Sequence, residues 1–245
     1  QETTMCDQHT QQDADEFLRR SGITRRQFGK LSAAAGMAVV FPPVINAQAV
    51  TGADVEITTP DGTADCFFVH PATGTHPAVL VWPDILGLRP AFRAMGRRLA
   101  ESGYSVLVVN PFYRDARSPV VGEGASFGQQ ETRDIVLPMA RNLNAETHFT
   151  DARAFVSFLD QQTAVDTGKK IGTTGYCMGG PMVMRTVAAV PDRLGAGATF
   201  HGGGLATDND DSPHLLIPDT TAQMLHCVAA NDDESDPEAK ETLRT

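Results

Sequence analysis

Short apolar runs alternate with segments of helical periodicity along the chain from residue 50 onward. Residues 78–82 and 105–109 are almost continuously apolar and rich in β-branched side chains, which predicts buried strands. Between them, residues 91–103 space their apolar side chains one helical turn apart and end at Gly103, which predicts a helix. A strand, a helix and a second strand in this order form a unit whose two strands are parallel.

The rest of the chain continues this alternation. Asp61-Gly62 lies between two runs of β type and predicts a hairpin. Helices are predicted over residues 150–161, capped by Thr150 or Asp151, and over residues 181–190. Further strands are predicted over residues 170–174, 196–200 and 223–228.

This alternation predicts one α/β domain, in which helices cover both faces of a mainly parallel sheet. Ligands in such sheets bind beyond the carboxyl ends of the strands. Residues 111–144 are polar and irregular, and we expect them to form a long excursion close to such a site.

The composition is that of one globular domain without affinity for polyanions. The chain has 245 residues, of which 41% are hydrophobic and 20% are charged, which suits a single full-sized core. Its formal net charge is -10, and no basic cluster occurs beyond the N-terminal region. Nucleic acids and anionic membrane surfaces are therefore excluded as expected partners.

The N-terminal region has the pattern of an export signal. The pair Arg25-Arg26 precedes a mildly apolar stretch over residues 31–41. Ala47-Gln48-Ala49 then has the small-x-small pattern of a signal-peptide cleavage site. The apolar stretch is too short to span a bilayer, which needs about 20 residues. The ordered pattern predicts a twin-arginine signal; the alternative is a disordered tail with a chance arginine pair.

We therefore divide the chain into an export segment, residues 1–49, and an α/β domain, residues 50–245. Cleavage after Ala49 would release a periplasmic protein that meets the membrane only through the export machinery. The sequence begins with Gln1, so either Met5 is the start or the N-terminus is the edge of a longer chain.

The cysteines do not form the pattern of a disulfide framework or of a metal site. Cys6 lies in the export segment, which leaves an odd number, three, in the α/β domain: Cys66, Cys177 and Cys227. No Cys-x-x-Cys and no histidine pair at ligand spacing occurs, so we expect neither a metal nor an organic cofactor.

The most informative motif is Gly175-Tyr176-Cys177-Met178-Gly179, between a predicted strand and a predicted helix. It is the cysteine version of the Gly-x-Ser-x-Gly elbow, a strained turn that needs small residues two positions either side of the nucleophile. A cysteine there stands at a helix N-terminus, where the helix dipole favours the thiolate. The alternative is a buried cysteine in a glycine-rich turn.

With this elbow, the chain resembles the dienelactone hydrolase family of α/β hydrolases. The resemblance extends from Ala64 to the last residue and implies the α/β-hydrolase fold. It is carried by four stretches: residues 82–90 (WPDILGLRP), 103–114 (with NPFYR at its end), 175–180 (GYCMGG) and 200–204 (FHGGG).

The resemblance implies a role for several residues around Cys177. In the family, an aspartate after a later strand is the acid of the catalytic triad. Asp232 occupies this position here, and Asp233 is a close rival. An acidic residue after the first parallel strand partners the resting thiol; many members have glutamate, and this chain has the shorter Asp84. For both positions, an ordinary turn or capping aspartate is the alternative.

The resemblance also implies how the substrate is held. The backbone N–H groups of Ile85 and Met178 would form the oxyanion hole. An arginine in the loop after the next strand would bind a substrate carboxylate, for which Arg114 fits best and Arg117 is the second candidate. A solvated loop arginine is the alternative for either residue.

No histidine of the given sequence follows the predicted catalytic aspartate, where the family has its catalytic histidine. It follows the aspartate by roughly thirty residues in the family, whereas this sequence ends at Thr245, and no histidine follows His226. His226 lies inside a predicted strand, His201 is expected at the edge of the pocket outside the triad, and His214 is expected at the surface. We expect the histidine, with the final strand or helix of the fold, beyond Thr245; the alternative is that the chain lacks a general base.

The expected function is the hydrolysis of small carboxylic esters or lactones by Cys177, as in the conversion of dienelactone to maleylacetate. Three alternatives stay open: a broad exported esterase, a non-catalytic binding protein with this fold, and a redox role for Cys177 with Cys66 or Cys227. The sequence does not fix the oligomeric state, and we favour a monomer.

The export signal is testable by changing its two arginines. We expect replacement of Arg25 and Arg26 by lysine to retain the protein in the cytoplasm, because the twin-arginine type is defined by that pair. Fractionation of cells that express either version measures this, with a cytoplasmic and a periplasmic marker as controls. Unchanged delivery to the periplasm would contradict the prediction.

Overall fold

The fold is taken from a computed structural model, which describes residue 44 and residues 47–244. Most of the predicted export segment lies outside the described residues. Among the described residues, no helix is both long enough and apolar enough to cross a membrane.

One seven-stranded sheet organises the described part of the chain, in the order β1-β2-β4-β3-β5-β6-β7. The pairs β1–β2 and β2–β4 are antiparallel, and the five strands from β4 to β7 are parallel to one another. The mainly parallel sheet that the sequence predicts is therefore confirmed. The strands are β1 (Val50–Thr59), β2 (Gly62–Pro71), β3 (Ala78–Trp82), β4 (Ser105–Val109), β5 (Ile171–Tyr176), β6 (Leu194–Phe200) and β7 (Gln223–Cys227).

Helices cover both faces of this sheet. Helix α1 packs on one face through Phe92, against a cluster that includes Val81 and Val108. Helices α3 and α4 pack on the other face, where Phe155 and Met182 join Trp82 in the larger cluster. The helices are α1 (Pro90–Glu101), α2 (Gln130–Arg141), α3 (Ala145–Asp160), α4 (Gly179–Ala189), α5 (Ala230–Ser235) and α6 (Ala239–Thr242), with a 3-10 helix at Pro213–Asp219.

Trp82 anchors the core beneath the carboxyl end of β3. Its side chain is completely buried and lies 5.6 Å, centroid to centroid, from the ring of Phe155. Its indole Nε1–H donates to Thr186 Oγ1 of α4 at 3.1 Å, so the buried polar atom has a partner. This contact ties β3 to α4, the helix that follows the predicted elbow.

Two local predictions need correction. Helix α3 begins at Ala145, not at residue 150, because Asn144 and Thr147 form a reciprocal capping box five residues earlier. The region predicted to be irregular contains α2, of which only Thr132 and Val136 are buried. The first five residues of this helix are polar and Pro138 lies inside it, and both features argue against a helix in the sequence.

Candidate active site

Cys177 stands on a strained turn between β5 and α4. Its φ is 52°, in the left-handed region that a non-glycine residue rarely adopts. The flanking glycines are required by close backbone approach: a Cβ on Gly175 would lie 2.3 Å from the carbonyl oxygen of Gly179. A Cβ on Gly179 would in turn lie 2.6 Å from the carbonyl oxygen of Trp82. The motif thus forms the turn that the sequence predicts.

The turn holds the cysteine at the start of a helix and beside the end of a neighbouring strand. The backbone N–H of Cys177 donates to the carbonyl oxygen of Phe200, the last residue of β6, at 2.9 Å. Helix α4 begins at Gly179, so the side chain of Cys177 lies at its positive end. The residue is buried, with 5% of its surface exposed, which limits access of bulk water to the sulfur.

The loop after β3 lies against this turn. The approach of Gly179 to the carbonyl oxygens of Trp82 and Pro83 brings the next residues, Asp84 and Ile85, close to the elbow. Ile85 is buried, and Met178 packs against the same small hydrophobic cluster. The two residues predicted to supply oxyanion donors are therefore brought together, and their donation to a substrate stays a prediction.

Asp84 has a different partner from the one the resemblance implies. Its carboxylate accepts a bidentate pair of hydrogen bonds from Arg89, at 2.6 and 2.7 Å, and a third from the backbone N–H of Leu86 at 2.9 Å. These contacts shape the loop that carries Ile85. A role of Asp84 toward the thiol of Cys177 stays a prediction. To contact the thiol, the carboxylate would have to share or break its hydrogen bonds with Arg89.

The loop after β6 approaches the elbow from the other side. A Cβ on Gly180 would lie 2.8 Å from the Cα of Gly202, so the chain passes the start of α4 at backbone contact. His201, between Phe200 and Gly202, also has a φ of 52°. Its backbone N–H donates to the carbonyl oxygen of Cys227 at 2.9 Å, which fixes it to the end of β7.

Asp232 is paired with His201, which the sequence analysis had placed outside the triad. The distance from His201 Nδ1 to Asp232 Oδ2 is 2.6 Å, and the two side chains are 27% and 22% exposed. Its rival Asp233 instead makes an ion pair with Lys240 at 2.6 Å. Of the two predicted acids, Asp232 is therefore the one that contacts an imidazole.

Arg114 is held by two carboxylates. It makes hydrogen bonds with Asp151 at 2.7 and 2.9 Å and with Asp61 at 2.6 and 3.1 Å. Asp151 is buried and also accepts from the hydroxyl of Tyr113 at 2.7 Å. Burial raises the pKa of Asp151, and the hydrogen bonds from Arg114 and Tyr113 oppose that shift. The second candidate, Arg117, pairs with Glu56 at the surface.

A buried histidine that the sequence analysis did not single out lies behind the elbow helix. His148 of α3 is 5% exposed, and its Nδ1 lies 2.9 Å from a guanidinium nitrogen of Arg185 on α4. Burial, together with the charges of Arg185 and Arg114, lowers the pKa of His148 to about 3. His148 is therefore neutral near pH 7, and it couples α3 to α4. No signal in the sequence marked this residue, because it lies before residue 150, where the helix was predicted to begin.

Within residues 47–244, no group of three or more histidine, cysteine, aspartate or glutamate side chains is arranged to hold a metal ion. The candidate site is thus built from Cys177 at the end of β5, His201 at the end of β6, Asp232 at the start of α5, and the Ile85 and Met178 backbones. The neighbouring strand ends at the carboxyl edge of the sheet bring these residues together.

Comparison with known proteins shows which family the chain resembles. Carboxymethylenebutenolidase from Rhodococcus opacus is 27% identical over 185 residues, which cover 74% of this chain and 68% of the relative. A carboxymethylenebutenolidase homolog from Mus musculus is 30% identical over 143 residues, or 58% of this chain and 52% of the relative. The chain thus spans about two thirds or less of the length of these relatives.

A similar fold occurs in solved structures. A dienelactone hydrolase-like promiscuous phosphotriesterase from metagenomic libraries matches with a TM-score of 0.61 and 24% identity, over 80% of this chain and 77% of that chain. The model of the dienelactone hydrolase family matches residues 64–245, which is most of the sequence and contains all of the residues of the candidate site. The chain belongs to the dienelactone hydrolase family, within the α/β hydrolases.

Proposed function

We propose that this protein hydrolyses small carboxylic esters or lactones with Cys177 as the nucleophile. The observation that carries the proposal is the position of Cys177: a left-handed residue on a glycine-bounded turn, at the N-terminus of α4. That position sets the cysteine at the positive end of a helix, which favours its thiolate. The family membership supports the same chemistry without establishing it for this chain.

The proposed reaction has two steps. The thiolate of Cys177 attacks the ester carbonyl, and the backbone N–H groups of Ile85 and Met178 stabilise the negative charge on the carbonyl oxygen. The C–O bond to the alcohol then breaks, which leaves an acyl thioester on the cysteine. Water, activated by a base, hydrolyses the thioester and regenerates the thiol. The products are the carboxylic acid and the alcohol, or a hydroxy acid from a lactone.

The ion pairs of the predicted carboxylate-binding arginine support a second candidate function, a broad esterase that acts on neutral esters. Dienelactone carries a carboxylate that needs a cationic partner, and the predicted partner, Arg114, already contacts Asp61 and Asp151. Arg89, near the oxyanion loop, is likewise paired with Asp84. A broad esterase is therefore the second candidate, and a dienelactone substrate would have to displace one of these carboxylates.

We further propose that the enzyme acts in the periplasm. The support is the ordered pattern of residues 24–49, with its arginine pair, short apolar stretch and small-residue exit. A neutral ester suits that compartment, because its hydrolysis requires no intracellular ring-cleavage route.

The nucleophile is tested by Cys177→Ala. We expect turnover of both dienelactone and a neutral short-chain ester to fall at least about 1,000-fold, because the covalent route is lost. Cys227→Ala is the matched control and should keep near wild-type rates, since it removes a thiol elsewhere. Initial rates on the two substrates also give the ratio that separates a dienelactone hydrolase from a broad esterase. Retained activity in Cys177→Ala would overturn the proposal.

The turn itself is tested by Gly175→Ala. The new Cβ would meet the backbone of Gly179, so we expect a loss of about 1–3 kcal/mol in the free energy of unfolding and at least a tenfold lower kcat. Urea denaturation and initial rates measure the two effects. Gly122→Ala is the control, because nothing lies within 4 Å of the position its Cβ would take. Equal stability and activity of the two variants would show that the close turn is not needed.

A further inference from the structure

Two backbone N–H groups beside the Cys177 turn have no acceptor in the described part of the chain. Among residues 47–244, neither the N–H of Ile85 nor that of Met178 donates to another atom of the protein. Buried N–H groups are nearly always paired, so that of the buried Ile85 is available to a substrate oxygen. An oxyanion donor is effective only when it is held within about 0.5 Å of the productive geometry. The question is what holds the Ile85 peptide.

Hydrogen bonds to Asp84 fold the loop that carries Ile85. Oδ1 of Asp84 accepts the N–H of Leu86 at 2.9 Å, and the carbonyl oxygen of Asp84 accepts the N–H of Gly87 at 2.9 Å. Gly87 has a φ of 72°, which suits a glycine in this tight turn. The two N–H groups that follow Ile85 are thus used within the loop, whereas that of Ile85 is not. The direction of the Ile85 N–H therefore depends on how Asp84 is held.

Arg89 holds the carboxylate of Asp84 with two arms. Nη1 of Arg89 donates to Oδ1 at 2.6 Å, and Nη2 donates to Oδ2 at 2.7 Å. Nη1 also donates to the carbonyl oxygen of Gly87 at 3.3 Å. A bidentate pair fixes both the position and the rotation of a carboxylate, which a single hydrogen bond does not. Because Arg89 is the N-cap residue of α1, the pair clasps the loop between β3 and that helix.

The guanidinium of Arg89 is itself fixed against an aromatic residue that contacts the Cys177 strand. Its central carbon lies 5.0 Å from the centroid of the Phe92 ring. Phe92 is buried, and its ring meets the ring of Tyr176 edge to face, with centroids 5.5 Å apart. Tyr176 directly precedes the nucleophile. Arg89 therefore links the loop of one oxyanion donor to the strand that ends at Cys177.

The ion pair also balances the charge next to the oxyanion site. An unpaired carboxylate on Asp84, the neighbour of Ile85, would oppose the negative charge that develops on the substrate oxygen. The side chains of Arg89 and Asp84 are only 23% and 24% exposed, so solvent would screen this repulsion incompletely. Removal of the guanidinium would therefore disturb both the geometry and the electrostatics of the loop.

We propose that Arg89 is a positioning residue for ester hydrolysis: it clasps Asp84 and thereby directs the N–H of Ile85 at the oxyanion. This inference rests on the proposed function. Arg89 acts through Asp84 and requires no contact with the substrate. It also gives Asp84 a role in the loop, whereas the family resemblance implies a contact with the resting thiol. Because the oxyanion forms only during the reaction, the loss of Arg89 should lower kcat more than it raises KM.

Arg89→Lys is the principal test, because lysine keeps the positive charge but does not form the two-armed pair. We expect kcat on a neutral short-chain ester to fall about tenfold, with KM within about twofold of the wild type. The rate and the pH midpoint of Cys177 alkylation by iodoacetamide should not change, since that reaction forms no oxyanion. A general loss of structure would instead slow both reactions.

A second variant tests the pair by chemical rescue. Arg89→Ala removes the whole side chain, and we expect kcat to fall at least about 100-fold. Guanidinium chloride at a non-denaturing concentration should restore part of the activity, because the free cation can pair with Asp84 in the space that the substitution opens. Sodium chloride at the same concentration is the salt control and should restore nothing.

Arg93→Lys is the matched control. Arg93 lies one turn further along α1, pairs with Asp54 and stacks on Phe67, with its guanidinium carbon 4.9 Å from the ring centroid. It thus makes the same kinds of contact as Arg89, but toward β1 and β2 instead of the oxyanion loop. Its kcat and KM should match the wild type, and an equal loss in both lysine variants would contradict the assignment of Arg89.

The outcomes are distinguishable from those of the proposed function. If Cys177→Ala is inactive while Arg89→Lys and Arg89→Ala keep the wild-type kcat, the assignment of Arg89 is wrong and the cysteine hydrolase stands. If alkylation in Arg89→Lys slows as much as hydrolysis, or guanidinium restores nothing to Arg89→Ala, the assignment is again wrong. If Cys177→Ala is fully active, both proposals fail.

Discussion

The close backbone packing around the start of α4 is the constraint on which the rest of the site depends. Gly179 contacts the carbonyl oxygens at the end of β3, and Gly180 contacts the loop that follows β6. The loop after β3, the Cys177 turn and the loop after β6 lie at van der Waals distance, because no side chain fits between their backbones. These three segments carry Ile85, Cys177 and His201.

Features that depend on a few consecutive residues could be predicted from the sequence. The turn at Cys177 was predictable because its glycines are required within five consecutive residues, between a strand and a helix. The parallel sheet was predictable because continuous apolar strands alternate with helices. Helix α2 was missed because its first turn is polar and because Pro138, a residue that usually ends a helix, lies inside it.

The features that were missed depend on residues far apart in the chain. The pairing of His201 with Asp232 joins positions 31 residues apart, and it follows from the register between β6 and β7 rather than from any motif. The ion pairs of Arg114 with Asp61 and Asp151 connect three separate elements, and no spacing in the sequence indicates them. They change the expected substrate, since a guanidinium held by two carboxylates is poorly available to a third.

The proposed reaction passes through a covalent acyl thioester on Cys177, which intact-mass spectrometry detects in enzyme quenched with acid during turnover of a slow ester. We expect one added acyl mass per chain, located on the peptide that contains Cys177 and discharged by hydroxylamine at neutral pH. Turnover that proceeds with no acyl adduct, or with the adduct on another residue, would contradict it.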